Sequence, residues 1–325
     1  MTTHMLLEAR EAPAAVARQL ALNTRDYADF GALLRQSPPS SILTIARGSS
    51  DHAAHFLGYL IMARLGRLVT SLPMSLITLY QSQMVCQGLL SLAFSQSGQS
   101  PDLVAPTRFF SDGGACTAAF VNEPDSPLGQ ATKWLFPLHA GRETSVAATK
   151  SFIAQMVAGV RVVASWQQDP ALHAALAALP EVLARAAYAD WSLGVETLAE
   201  ADRLFVIGRG TGLAVAMEAA LKFKETCGIQ AEAFSGAEVM HGPMALIEQG
   251  YPLLVLAPRG PAQAGLLAAP VGTPGANLPI IETGTPDLDP ISVIQSFYPM
   301  VEALARERGL NPDQPPHLAK VTRTH

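Results

Sequence analysis

The sequence predicts an α/β protein whose parallel, doubly wound sheets come from two copies of one unit. Three observations point there. Short apolar runs of strand length alternate with stretches of helical periodicity, and strands separated by helices pair in parallel. The run Leu43-Thr44-Ile45-Ala46-Arg47-Gly48-Ser49-Ser50 has a counterpart in Leu204–Ile207 followed by Gly208-Arg209-Gly210-Thr211-Gly212, which marks an internal repeat. A chain of 325 residues that is 49% hydrophobic suits about two domains, each with a sizeable core.

Residues 1–36 form an N-terminal helical segment, with Leu6, Ala9, Val16, Leu20, Leu33 and Leu34 on helical spacing. Ser37-Pro38-Pro39-Ser40 stops it. The first α/β domain is expected over 37–168. Its strands are Ile42–Ala46, Leu68–Ser71, Leu89–Phe94, Ala115–Val121 and Leu135–Pro137. A long amphipathic helix over 143–166, led by Glu143-Thr144-Ser145, closes it. Residues 169–198 are rich in Ala and Leu, hold Pro180, and read as two linking helices. The second domain, 199–309, opens with the strand Leu204–Ile207 and the helix Leu213–Cys227, which ends at Gly228. Leu253–Ala257 is its next strand. In Pro258–Pro279, rich in Pro, Gly and Ala, the helix due by alternation is weak or missing. A short strand at Ile280–Glu282 and a helix over Ile291–Arg308, ended by Gly309, complete it. The tail 310–325 carries Pro312, Pro315 and Pro316 and is disordered by default.

Composition excludes several classes. A net charge of -5 leaves no polybasic patch for nucleic acid or an anionic membrane. Cys86, Cys116 and Cys227 are scattered and lack CxxC spacing, which fits a reducing cytoplasm without a disulfide framework or structural zinc. The N-terminus lacks the basic and apolar regions of a signal peptide. The longest apolar stretch, Phe152–Trp166, is too short to cross a bilayer and carries Arg161. Gly210 and Gly212 hint at a dinucleotide loop, but the full GxGxxG and an acidic ribose partner are missing.

The chemistry-bearing centre is Leu89–Asp102. An apolar strand breaks into Ser95-Gln96-Ser97-Gly98-Gln99-Ser100, and Pro101 then starts a helix with Ser100 as its N-cap. Free backbone N–H groups at the helix N-terminus and neutral hydroxyl donors suit a phosphate monoester on a small molecule. The alternative is a serine-rich turn that merely caps its own helix. On the helix Leu213–Cys227, Glu218, Lys222 and Glu225 fall on one face. They are either a surface ion-pair ladder or, drawn into a cleft, a carboxylate and lysine that shuttle a proton between adjacent carbons. His241, in His241-Gly242-Pro243, is either structural or an acid–base group able to open a sugar ring. Lys320 is either a solvated charge or an amine that a folded-back tail brings to a carbonyl.

Five segments fall in one order: Ser95-Gln96-Ser97-Gly98, the GRETSVAATKSF segment Gly141–Phe152, Ala220-Leu221-Lys222-Phe223-Lys224-Glu225, His241-Gly242-Pro243, and Asp313-Gln314-Pro315 with Leu318-Ala319-Lys320. With them the chain resembles the sugar isomerase (SIS) family, specifically the isomerase domain of glucosamine-6-phosphate synthase. The resemblance implies two tandem SIS subdomains with flavodoxin-like parallel sheets flanked by helices, and a C-terminal tail that closes the active site. It also implies a homodimer in which His241 of the partner subunit completes the site. Ser95, Gln96, Ser97 and Ser100 would cradle the phosphate, Ser50 would touch a sugar hydroxyl, and Val146 and Ala319 would offer backbone groups. Glu225 would move the proton between C1 and C2 beside Lys222, His241 would open the ring, and Lys320 would contact or condense with the open-chain sugar.

The departures bear on the substrate. The synthase starts with a glutaminase domain whose cysteine follows the initiator Met, whereas Thr2 follows Met1 here, so glutamine is not the expected nitrogen donor. Ala148 stands where the family usually has serine, Met240 replaces a usual lysine, and Gln99-Ser100 replaces Glu-Thr. The Pro258–Pro279 segment is shortened. The expected activity is conversion of glucosamine 6-phosphate to fructose 6-phosphate and ammonia, with no cofactor or metal. The alternatives are a deglycase acting on sugar-amine 6-phosphate conjugates and a non-catalytic sugar-phosphate sensor.

Overall fold

The computed structural model describes residues 2–247, 251–256, 283 and 285–320. The chain divides into two compact units. One holds Ala14–Arg142 and Ser151–Ala177. The other holds residues 2–13, Glu143–Lys150 and the described part of Ala178–Lys320.

The first unit carries a five-stranded parallel sheet. Its strands are β1 (Ser41–Ile45), β2 (Val69–Ser71), β3 (Leu89–Ser95), β4 (Cys116–Val121) and β5 (Trp134–Pro137), in the order β2-β1-β3-β4-β5. This is the flavodoxin-like order, with the chain reversing direction across the sheet between β1 and β3. Register aligns Ile45 with Ala93 and Ser95 with Val121, so the three central strands end near one level. Central strands buried on both faces are continuous apolar runs, which is why the sequence shows them plainly.

The two sheet faces bury different side chains. Phe94 stacks on Phe120 at 4.5 Å, Phe120 on Phe136 at 5.3 Å, and Tyr27 and Phe30 of helix α2 (Thr24–Gln36) pack on Phe136 at 4.5 and 5.2 Å. The opposite side gathers Leu43, Ile45, Ala93, Leu103, Phe110, Ala119 and Leu128. Crossover helices α3 (Gly48–Leu65) and α5 (Pro101–Asp112) leave β1 and β3. Between them lie β2 and the short α4 (Ser75–Thr78), and a second short helix, α6 (Pro127–Gln130), precedes β5. Helix α7 (Lys150–Gln167) lies mostly in this unit, as does the first half of α8 (Pro170–Ala186).

The second unit carries a parallel sheet of β6 (Arg203–Gly208), β7 (Gln230–Ser235) and β8 (Leu253–Val255), in the order β7-β6-β8 among the described residues. Helix α9 (Ser192–Leu198) precedes it, and α10 (Gly212–Cys227) follows β6. A 3₁₀ turn (Glu238–His241) and α11 (Met244–Ile247) come after β7, and α12 (Asp289–Glu307) is the last helix. Phe223 of α10 meets Phe297 of α12 edge-on at 5.1 Å, and Trp191 meets Phe297 at 6.4 Å. The N-terminal turns of α1 (His4–Ala21) belong here too, since Gln295 donates from α12 to the Ala9 carbonyl at 2.9 Å.

Three expectations are corrected. Strand β7 is absent from the sequence reading because QAEAFS is an edge strand without a β-branched residue and alternates exposed and buried positions at its start. The helix expected over 143–166 begins only at Lys150. Its expected first turn is a loop because side chains take the amides a helix would use: Glu8 accepts from Thr144 and Ser145 N–H, and Glu143 accepts from Thr149 N–H. The tail is ordered from 310 to 320 rather than free. Asp313 carboxylate oxygens accept from the His4 and Met5 amides at 2.8 and 2.7 Å and so cap α1. The expectations for Pro258–Pro279 and Ile280–Glu282 lie outside the described residues. Among the described residues no helix is long and apolar enough to cross a membrane.

Gly31 marks a tight contact between α2 and α7 in the first unit. A Cβ there would sit 2.6 Å from the Ser165 backbone on α7, and backbone cannot swing aside. Gly31→Ala is expected to cost about 1–3 kcal/mol through overpacking. A denaturant melt of the variant superimposing on that of the parent would refute the contact.

Candidate active site

The five-stranded unit places Ser95, Gln96, Ser97 and Ser100 in the turn between β3 and α5, and Ser50 in the first turn of α3 after β1. Both turns leave the carboxyl ends of the strands that flank the switch in strand order, which is where open α/β sheets bind ligands. The β3 turn is shaped by Gly98 at φ +64. A Cβ at this position would lie 2.0 Å from Ser126 Oγ and 2.9 Å from Val121 Cγ2, so only glycine fits. The Gly98 amide donates to Ser95 Oγ at 2.9 Å, and the Gln99 amide donates to Ser97 Oγ at 3.3 Å. Ser100 is the extended residue before α5, with Pro101 in the first turn.

Self-capping and ligand binding are therefore compatible in this turn. Each of the two serines spends an oxygen lone pair on a backbone amide and keeps its O–H hydrogen to donate. Ser50 Oγ accepts from Gln155 at 2.9 Å and likewise keeps a donor. Sequence reasoning found no cation in the turn and missed Arg47. Its Nε lies 3.0 Å from Asp102 Oδ2 in the first turn of α5, tying the β1 turn to the β3 turn. Arg47 was visible in the repeat, but nothing in its spacing from Asp102 signals the bond.

The three-stranded unit holds the proton-transfer candidates. Helix α10 is rich in Ala, Leu, Met, Lys and Glu, which are strong helix formers, and it stops at Gly228, whose φ of 64 and N–H to Phe223 O form a left-handed cap. Helical spacing then sets three charges in a row. Lys222 Nζ lies 3.3 Å from Glu218 Oε1 and 2.5 Å from Glu225 Oε2. Glu218 and Lys222 are 0% exposed, whereas the Glu225 side chain is 21% exposed. A surface ion-pair ladder is excluded by that burial. The buried Tyr298 hydroxyl of α12 donates to Glu218 at 3.4 Å.

Burial, the largest influence, pulls the Lys222 pKa down, but Glu218 and Glu225 outweigh it and hold the ammonium above the ordinary lysine range. Burial drives the Tyr298 hydroxyl well above its usual value, and Glu218 adds to this. Lys222 is thus a permanent cation between a buried carboxylate and one that reaches solvent. The arrangement keeps Glu225 within hydrogen-bond range of a fixed positive charge, which suits a base that takes up and returns a proton.

Lys320 is 25% exposed at its side chain and folds back on the loop before α7. Its Nζ lies 3.2 Å from Glu143 Oε2 and donates to the Ser145 carbonyl at 2.7 Å. The Val146 amide donates to the Asp313 carbonyl at 3.2 Å, so that N–H is occupied. Ala319 is exposed beside Lys320. His241 is exposed at the end of the 3₁₀ turn, before Gly242 at φ 141, and its ring makes no hydrogen bond or ion pair with a described residue. The structure therefore joins Lys222 to Glu225 and brings Lys320 beside Val146, while His241 stands apart from both. Among the described residues no group of three or more His, Cys, Asp or Glu side chains gathers as a metal site would.

Comparison with known proteins adds a family to this geometry. The model of the SIS domain matches residues 34–165 and 197–271. Glutamine--fructose-6-phosphate aminotransferase [isomerizing] from Bradyrhizobium diazoefficiens is 29% identical over 337 residues, covering 94% of this chain and 54% of its own length. The chain spans about half the length of the curated relatives it matches. A solved structure from Silicibacter pomeroyi DSS-3, provisionally named a phosphosugar isomerase, is 42% identical with a TM-score of 0.90, covering 96% of this chain and 100% of that one. The C-terminal domain of glucosamine-fructose-6-phosphate aminotransferase from Francisella tularensis superimposes with a TM-score of 0.84 at 23% identity, covering 97% and 98%. That last likeness speaks for the fold.

Removing Lys222 strands Glu218 without a counter-charge. Lys222→Met is expected to destabilise the protein by about 3–5 kcal/mol, the cost of breaking a buried pair from one side. Because the folded lysine titrates above its unfolded value, its stabilisation is complete below the ordinary lysine pKa and fades only as pH rises through the folded one. Chemical denaturation of both proteins at pH 7 measures the difference, and a loss under about 1 kcal/mol would contradict the buried pairing.

Proposed function

This chain belongs to the SIS domain family, and from that premise we propose that it is a phosphosugar isomerase-type enzyme that deaminates glucosamine 6-phosphate to fructose 6-phosphate and ammonia. The observation that carries the proposal is the buried Glu218–Lys222–Glu225 row, which ends in one solvent-reaching carboxylate. A binding module that only senses a sugar phosphate has use for the serine turn. It has no use for a lysine buried at the cost of desolvation beside a half-buried acid.

The chemistry follows from the groups present. The serine turn supplies neutral donors and a helix N-terminus for the ester oxygens. His241 of the partner subunit, in a homodimer, moves a proton from the C1 hydroxyl to the ring oxygen and opens the sugar to its aldehyde. Glu225 removes the proton from C2, giving the enolate of an enolamine, and returns it to C1, while one amine proton passes to O1. The C2 imine that results takes up water and releases ammonia, leaving the C2 ketone. The balance is glucosamine 6-phosphate plus water giving fructose 6-phosphate plus ammonia. Lys222 stabilises the ionised Glu225 before the first transfer and after the second, and Lys320 contacts the open chain. Ala148 takes a hydroxyl from the loop where the family usually has serine, so the substituent on nitrogen is the property most open to change.

Purified protein with glucosamine 6-phosphate is expected to yield ammonia and fructose 6-phosphate in equal amounts. Glu225→Gln is expected to lower kcat by about 10²–10⁴, the usual worth of general acid–base catalysis. Binding of the sugar phosphate without turnover would favour the sensor instead. Full turnover by Glu225→Gln would remove that residue from the proton transfer.

A further inference from the structure

We propose that Glu143 is a positioning residue that seats the Lys320 amine, and that the loop 143–149 is the dock of the C-terminal tail. What the amine then does rests on the proposed function, whereas the docking does not. Glu143 has a side chain 0% exposed, and its carboxylate is fixed from behind, since Oε1 accepts from the Thr149 amide at 3.0 Å. Its other oxygen lies 3.2 Å from Lys320 Nζ, and the Ser145 carbonyl accepts from the same nitrogen at 2.7 Å. An ammonium has three N–H bonds, so two acceptors from one loop set its orientation and leave one hydrogen for another partner.

The dock is itself built. Glu8 holds the loop from α1 through the Thr144 and Ser145 amides and the Thr144 hydroxyl. The tail touches the loop at a second point, where the Val146 amide donates to the Asp313 carbonyl. Asp313 meanwhile caps α1 with both carboxylate oxygens. Helix, loop and tail thus close a ring of hydrogen bonds, and Lys320, its side chain 25% exposed, is the link that brings an ammonium to the loop. A long lysine chain held at its tip loses most of its rotamer freedom, an expense of up to about 2 kcal/mol that a structural role alone would not call for at a tail end.

The test uses the full chain and two variants, Glu143→Gln and Lys320→Arg. Amide hydrogen exchange over 312–320 and steady-state kinetics with glucosamine 6-phosphate are measured for each. Glu143→Gln is expected to speed exchange of the tail amides about tenfold and to lower kcat about tenfold, as loss of a charge-assisted bond implies. KM is expected to move less than about threefold, because Glu143 is not part of the serine turn. Glu143→Asp is expected to restore part of both losses. Lys320→Arg keeps a cation for the dock, so it is expected to retain tail protection while losing turnover. Parental exchange and kcat in Glu143→Gln would overturn the proposal. So would tail amides in Lys320→Arg that exchange as fast as in Glu143→Gln. If the parent protein turns over no amino-sugar phosphate, the proposed function fails, and the exchange comparison alone still decides the dock. Should Glu143→Gln fail to fold, Lys320→Met probes the same bond from the exposed side, with faster tail exchange expected and unchanged exchange overturning the dock.

Discussion

A lysine without access to water has to be neutralised by its neighbours, and the charged row of the three-stranded unit answers that requirement. Lys222 sits in the middle of α10 with Glu218 one turn before it and Glu225 one turn after. Desolvation is the largest influence on the lysine, and Glu218 and Glu225 together outweigh it. With both, the charge stays on, and one carboxylate is left at the edge of solvent. Tyr298 extends the row onto α12, so the contact between the two helices is polar at this point and aromatic at Phe223 and Phe297. A helix that were only a packing element would have no reason to bury Glu218 and Lys222 when leucine is available.

The five-stranded unit is arranged differently, with neutral hydroxyls and amides gathered where two of its strands end. Its strand order brings the β1 and β3 turns to the switch point, and register puts their ends near one level. Gly98 lets the chain turn tightly enough for hydroxyls and amides to share the turn, which a Cβ would prevent by striking Ser126 and Val121. The Arg47 to Asp102 pair then braces the two turns from the side. The donors that the β3 turn itself contributes are neutral hydroxyls and amides.

What was legible in the sequence follows from how local each signal is. The three central strands of the five-stranded sheet could be read because each is a buried apolar run, and α10 because its formers are all within it and its glycine stop follows directly. The serine turn was legible for the same reason, since Ser100-Pro101 is a cap signal that needs no distant partner. Strand β7 was not, because an edge strand shows half its residues to solvent and QAEAFS lacks the β-branched residues that mark strands. The false helix over 143–149 has a more instructive cause. Its periodicity is real, but Glu8 lies more than a hundred positions away and captures the amides that a helical turn would need. Periodicity reports what a segment would do alone, and the bond across the chain decides otherwise.

The same non-local bonding makes the tail part of the fold. By composition, 310–320 has three prolines and little to bury, which predicts disorder. Its order comes from acceptors and donors in other segments: the first amides of α1 need a cap, which Asp313 supplies, and the 143–149 loop offers the Ser145 carbonyl and the buried Glu143 carboxylate, which Lys320 takes up. A helix start and a broken helix turn thus both find their missing partners in one short stretch. That economy explains why a proline-rich tail can be fixed without a core of its own, its last described residue held at its charged tip.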